Sequence, residues 1–110
     1  MLRWAFAAWV WGANVSTLVL CHFVFSINSI SHLFGSRRYD LADDSRNNFV
    51  VALMSFGEGW HNNHHCYPGR AKLGEPWWEI DISWYGIRVL EALGIVWDVR
   101  RGAPRRPTEY

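Results

Sequence analysis

The chain has 110 residues, half of them apolar, with eight Trp, six Phe and four Tyr, and its formal charge is +1. That length allows one domain or part of one, and that aromatic load suits a membrane interface. Two cysteines, Cys21 and Cys66, offer neither a disulfide framework nor zinc-knuckle spacing, so a reducing compartment fits. The small net charge hides an asymmetry: residues 1–36 carry one basic residue, Arg3, and no acid, whereas residues 37–110 carry ten of each sign.

Trp4 to Phe25 is a run of 22 residues without a formal charge, enough to cross a hydrocarbon core of about 30 Å as a helix. It reads as a transmembrane helix with Trp4, Trp9 and Trp11 as an interfacial belt. It is too long for a signal peptide and has no clear small-residue cleavage site. Asn14, Ser16, Thr17 and His22 are polar for lipid, so their side should face other helices or a cavity. Continued to Phe34, the helix is about 46 Å long and carries His32 beyond the hydrocarbon. Arg37, Arg38 and Arg46 beyond its C-terminal end, against Arg3 at the other, place the C-terminal part in the cytoplasm. Phe25, Asn28 and His32 share a face with Cys21 one turn below, a surface suited to an apolar tunnel or to plain helix packing. His22 lies about 15 Å along the axis from His32 and is rotated away from it, so it should not share a ligand.

Gly35 to Arg46 reads as a polar connector whose Asp43-Asp44-Ser45 starts the next helix, with no chemical role for the acids. That helix should run from about Asn47 to His65. Its apolar stretch Phe49–Met54 is too short to span a bilayer and should lie on the membrane face, while Gly57 and Gly59 allow close approach of a neighbouring helix. Pro68-Gly69 ends it. A further helix runs from Trp77 to about Leu93 with Gly94 as its stop, either interfacial or packed on the preceding region. The basic tail from Arg100, with Pro104 and Pro107, should be disordered near lipid headgroups, and no nucleic-acid partner is expected.

The chemistry concentrates in Glu58–His65, Glu-Gly-Trp-His-Asn-Asn-His-His. At about 100° per helical residue, His61, His64 and His65 share one face. Asn28 and His32, four residues apart, form a second such pair. Neutral imidazole is the commonest protein ligand for zinc and iron, and three protonated rings on one turn would repel one another. A shared cation removes that cost. The fold class is therefore all-α and integral to a membrane. Residues 1–34 form a transmembrane helix carrying the Asn-x-x-x-His element, residues 35–99 a cytosolic helical metal-binding region, and residues 100–110 a tail.

With those residues in view, the chain resembles the C-terminal portion of membrane fatty acid desaturases of the acyl-CoA, stearoyl-type delta-9 family, nearer the bacterial form. Asn28-Ser29-Ile30-Ser31-His32-Leu33-Phe34-Gly35 looks like the family's Asn-x-x-x-His element, and Gly57 to His65 like its last His-x-x-His-His box. Tyr67-Pro68, Gly74, Trp77-Trp78-Glu79-Ile80-Asp81 and Leu93-Gly94 fall in the same register. Lys72, Tyr67 and Glu75-Pro76 depart from the pattern without touching a ligand. The resemblance implies a di-iron centre to which His32, His61, His64 and His65 contribute directly and Asn28 through a bound water, with Phe25 and Cys21 lining a substrate tunnel. It also implies a fatty acyl substrate on coenzyme A or a lipid, dioxygen, and electrons from a partner such as cytochrome b5, ferredoxin or a fused domain. Arg37 and Arg38 would meet acyl-carrier phosphates or serve topology alone.

Four histidines do not fill two iron coordination spheres. The family's upstream histidine boxes and earlier helices would precede Met1, so the chain reads as a fragment of a longer enzyme, inactive without its N-terminal half. Three other readings compete: a membrane di-iron hydroxylase, a non-enzymatic helical protein with one structural zinc, and a remnant that binds nothing.

Overall fold

The computed structural model describes residues 1–102; most of the expected tail, residues 103–110, lies outside them. A single helical rod opens the chain, from Leu2 to Leu33. It consists of α1 (Leu2–Ala7), a π-helical stretch (Ala8–Val15) and α2 (Ser16–Leu33). Its 32 residues measure about 48 Å at 1.5 Å each, long and apolar enough to cross a membrane. In the π-helical stretch the side-chain amide of Asn14 donates to the carbonyl of Trp9, five residues back, at 2.8 Å. Extended backbone at Phe34 stops the rod.

Three short helices follow: α3 (Phe49–Met54), α4 (His61–Cys66) and α5 (Ile82–Ala92). There is no strand among the described residues, only bridges pairing Asn47 with Ser36 and with Trp60. The continuous helix expected from Asn47 to His65 is therefore two helices separated by a tight turn. Phe56 has a φ of 59° and Gly57 one of 124°, and a Cβ on Gly57 would lie 2.6 Å from Asp81 Oδ1. Left-handed backbone of that kind breaks the helical hydrogen-bond ladder. Gly59 then turns back against the start of α3, where Asn48 N donates to its carbonyl at 2.8 Å. The glycines permit close approach, Gly57 to Asp81 and Gly59 to the start of α3.

Two helix starts also move. Asn48, not Asp43-Asp44-Ser45, caps α3, its side-chain oxygen accepting from Val51 N at 3.1 Å. Asp81, not the Trp pair, caps α5 by accepting from Trp84 N at 2.9 Å. Each shift puts an Asn or Asp side chain where it satisfies an otherwise orphaned amide, worth about 1 kcal/mol. Gly94, with a φ of 70°, follows α5 as its stop. Arg100–Gly102, placed in the tail by sequence, pack on the body: Ala71 N donates to Arg100 O at 2.9 Å, and Arg101 pairs with Glu91 at 2.5 Å.

The core holding these pieces together is mostly polar. Ala52, Trp60 and Leu73 form its apolar cluster. Around them Ser45, Asn47, Asn62, Asn63, Glu79 and Asp81 are buried. Asn62 Oδ1 accepts from Arg38 N (2.9 Å) and Tyr39 N (2.7 Å), and its amide donates to Tyr39 O and Ser45 O, both at 3.1 Å. Asn63 donates to Leu73 O and Glu79 Oε2, both at 2.8 Å. Asp81 Oδ2 accepts from Leu73 N at 2.7 Å, and Trp60 Nε1 donates to Ile80 O at 2.8 Å. Buried polar groups cost free energy unless paired, and here partners from distant segments satisfy them.

A Cβ on Gly59 would collide with the Ala52 amide nitrogen and sit 2.5 Å from Asn48 O, whereas Gly69 has nothing within 4 Å. Gly59→Ala should destabilise the fold by about 1–3 kcal/mol or more, as overpacking against backbone does. Gly69→Ala should change stability by less than about 0.5 kcal/mol. Thermal unfolding of both variants in detergent checks this, and equal melting temperatures contradict the wedge.

Candidate metal centre

The ends of α2 and α4 are brought together by the connector between them. Arg46 N donates to Ser31 O at 2.7 Å, fastening the connector to the last turn of α2 beside His32. One residue on, Asn47 Oδ1 accepts from Asn62 N (3.0 Å) and Asn63 N (3.2 Å), two of the free amides at the start of α4. The helix's outward face then meets α2. Ring centroids lie 5.1 Å apart for His32 and His61, 5.1 Å for His32 and His65, and 4.4 Å for His61 and His65. One ligand atom from each of these three residues lies within 4.8 Å of the others.

His64 is on the same turn but outside that trio, its ring 6.1 Å from His61 and 5.8 Å from His65. Its Nδ1 is buried without a hydrogen-bond partner. Asn28 Oδ1 is 3.0 Å from His61 Nε2, a direct contact between two expected site residues. Burial pushes His61 down to about 4, helped by the neighbouring His65, His32 and His64 and opposed by Asp43. His64 is also lowered, by burial first and then by His65, against Glu58. Three imidazoles with ligand nitrogens this close, and an orphaned buried nitrogen nearby, are a donor set that fits a transition metal.

Asp43, which sequence reading assigned to a helix start, reaches this site. Its Oδ2 is 2.8 Å from His65 Nδ1, and its Oδ1 accepts from Ser45 N at 2.8 Å. Burial alone would raise its carboxyl, yet hydrogen bonds from Ser45 and His65 hold it well below the usual carboxylate range. No local pattern marks this residue, because its partner is 22 positions away.

Beside the imidazoles a cleft of about 460 Å³ is lined by Val24, Phe25, Ile27, Asn28, Glu58 and His61. Phe25 and Asn28 thus share a cavity with His61. Cys21 is exposed and does not line it. His22 is exposed on α2 and outside the trio. Arg37 donates to Leu41 O at 2.6 Å and Asp43 O at 2.9 Å, and Arg38 pairs with the buried Glu79. Both guanidiniums therefore organise the connector.

His61 is held below its ordinary value of 6.5, so the unfolded chain takes up a proton over a range where the folded chain does not. The resulting stability is complete above about pH 6.5 and is lost as pH falls towards 4, by roughly 3 kcal/mol at most. The melting temperature of the metal-free chain should fall over that window, and His61→Gln should flatten the fall. An unchanged slope in the variant contradicts the assignment.

Residues 1–92 match a family model described as fatty acid desaturase. The icosanoyl-CoA 5-desaturase of Limnanthes douglasii is 47% identical over 91 residues, covering 83% of this chain and 26% of that protein. The sn-2 palmitoyl-lipid 9-desaturase of a Nostoc species is 43% identical over 98 residues, 89% of this chain and 34% of the relative. The sn-1 stearoyl-lipid 9-desaturase of a Synechocystis species is 41% identical over 103 residues, 91% and 32% respectively. The chain spans about a quarter to a third of the length of these relatives. With the family match running through both histidine elements and on to the end of α5, this chain belongs to the fatty acid desaturase family.

Proposed function

We propose that this chain supplies the C-terminal, histidine-bearing part of a membrane desaturase that introduces a cis double bond into a saturated fatty acyl chain carried on coenzyme A or a lipid. One observation carries the reading: imidazoles from α2 and α4 converge beside an apolar cleft that begins at Phe25. His32, His61 and His65 would hold one iron, His64 would contribute to a second, and Asn28 would steady His61 or take part through a water. The remaining ligands would come from protein outside these 110 residues, since four imidazoles do not complete two coordination spheres. Bound iron would provide, with dioxygen and two electrons, the oxidising power needed to take hydrogen from unactivated methylenes.

What this chain's own residues do is placement. Val24, Phe25 and Ile27 present an apolar wall to the acyl chain, and Asn28 and His61 mark where that wall meets the imidazoles. Fixing one methylene against a reactive centre is an orientation effect, and the rigid polar core behind α4 keeps the imidazole positions from drifting. Leu2–Leu33 would span the membrane, with the C-terminal body at the cytoplasmic surface, where arginines of the connector accumulate. Electrons would arrive from a carrier such as cytochrome b5 or ferredoxin.

A structural zinc is the less well supported alternative. Such sites close four ligands around the ion, whereas among the described residues three bring ligand atoms together and a cleft opens beside His61. Iron content of the purified protein should fall to near zero in His32→Ala and His65→Ala and be retained in His22→Ala. Joined to the N-terminal portion of the Synechocystis relative and expressed with an electron donor, the chain should give cis-monounsaturated acyl chains. Hydroxylated products from an iron-loaded enzyme would overturn the desaturase reading, and a firmly held zinc with no iron uptake would favour the alternative.

A further inference from the structure

We propose that Asp43 is a positioning residue for the metal centre: its carboxylate accepts the Nδ1 proton of His65, which makes Nε2 the ring nitrogen left to bind a cation. This deepens the proposed function and rests on its metal site. A neutral imidazole carries one ring proton, and the hydrogen bond made by one nitrogen decides which nitrogen keeps the lone pair. In His65 that bond is the 2.8 Å contact from Nδ1 to Asp43 Oδ2.

The carboxylate is itself held from outside the site. Asp43 Oδ1 accepts from Ser45 N at 2.8 Å, and the Asp43 carbonyl accepts from the Arg37 guanidinium at 2.9 Å. Ser45 is fully buried and its carbonyl is fixed by the Asn62 amide at 3.1 Å. A chain of contacts thus runs from the polar core through Ser45 and Asp43 to His65. The other acids of the connector have no such role. The side chains of Asp40 and Asp44 are exposed and make only loose pairs with Arg37, at 3.4 and 3.9 Å. Asp43 alone among the three is anchored on one oxygen and aimed at an imidazole with the other.

The test uses the 110-residue chain purified in detergent, with ¹⁵N-labelled histidine and Zn²⁺ and Co²⁺ as probes. In the metal-free protein His65 should show the Nδ1–H tautomer, and D43A should lose that signature. D43A should bind Zn²⁺ about 10–100-fold more weakly, the range for removing an outer partner of a metal-binding histidine. D43E should recover most of the affinity, and D40A should match the parent. The Co²⁺ absorption spectrum should shift in D43A as the ring reorients. If D43A unfolds, the near-isosteric D43N carries the comparison, with a smaller but measurable loss. A His65 that is Nε2–H in the parent protein, or a folded D43A or D43N that binds Zn²⁺ within twofold of it, overturns the proposal. A lower melting temperature with tautomer and affinity unchanged overturns it too, because that is a purely structural role. If the parent takes up neither metal, the metal-site reading fails, while the tautomer measurement still decides what Asp43 does to His65.

Discussion

The hydrogen bonds that Asn47 makes with α4 are the constraint on which the rest of this structure depends. Its side-chain oxygen takes two helix-start amides, and its side-chain amide donates to Asn63 Oδ1 at 2.8 Å. A six-residue helix has no stability of its own in water, because nucleation costs more than one turn returns. Helix α4 exists because Asn47, Asn62 and Asn63 tie it to the connector, to Leu73 and to Glu79. Once that face is buried and paired, His61 and His65, four residues apart, are turned towards α2, with Asp43 of the connector against His65.

This arrangement explains the composition of the Trp60–Cys66 stretch. The two asparagines between the histidines are buried, and it is their side chains that bond to the connector, to Leu73 and to Glu79. They hold the backbone so that the imidazoles need not. An apolar core of three residues would be a weak anchor for a site that must fix ring positions. Satisfied buried amides are directional where apolar contacts are not, so they specify a single geometry. The same network reaches Asp81 and the cap of α5, which joins the site to the C-terminal part of the body.

Much of the apolar surface is left outside this core. No part of the hydrophobic window of the Leu2–Leu33 rod is buried. Phe49, Val50, Leu53 and Met54 on α3, and Tyr85, Val89 and Leu93 in and after α5, are also exposed. So much contiguous apolar area implies an apolar partner. On the proposed reading that partner is lipid, together with the helices of a longer desaturase. The polar core and the apolar exterior then have separate tasks, the first setting the histidines and the second setting the body against the bilayer.

The long apolar helix, the histidine spacing and the family register were all legible in the sequence, because each is a local pattern: a run, an i,i+4 repeat, a motif. The pairing of Asn28 with His32 on one face, and of His61 with His65, follows from helical geometry alone. Where that geometry met tertiary demands it failed. One helix from Asn47 to His65 became two, since Phe56 and Gly57 turn left-handed so that Gly59 can reach α3. His64 shares the turn yet stands apart from the trio, since it is α2 that selects which rings converge. Asp43, read as part of a helix start, meets His65, and Asn62 and Asn63, to which the sequence assigned no role, carry the core. Residue spacing by itself determined which side chains were available to bind a metal. Only the tertiary structure decided which of them meet and what steadies them, because those contacts join residues 15 to 33 positions apart, and no local pattern records such distances.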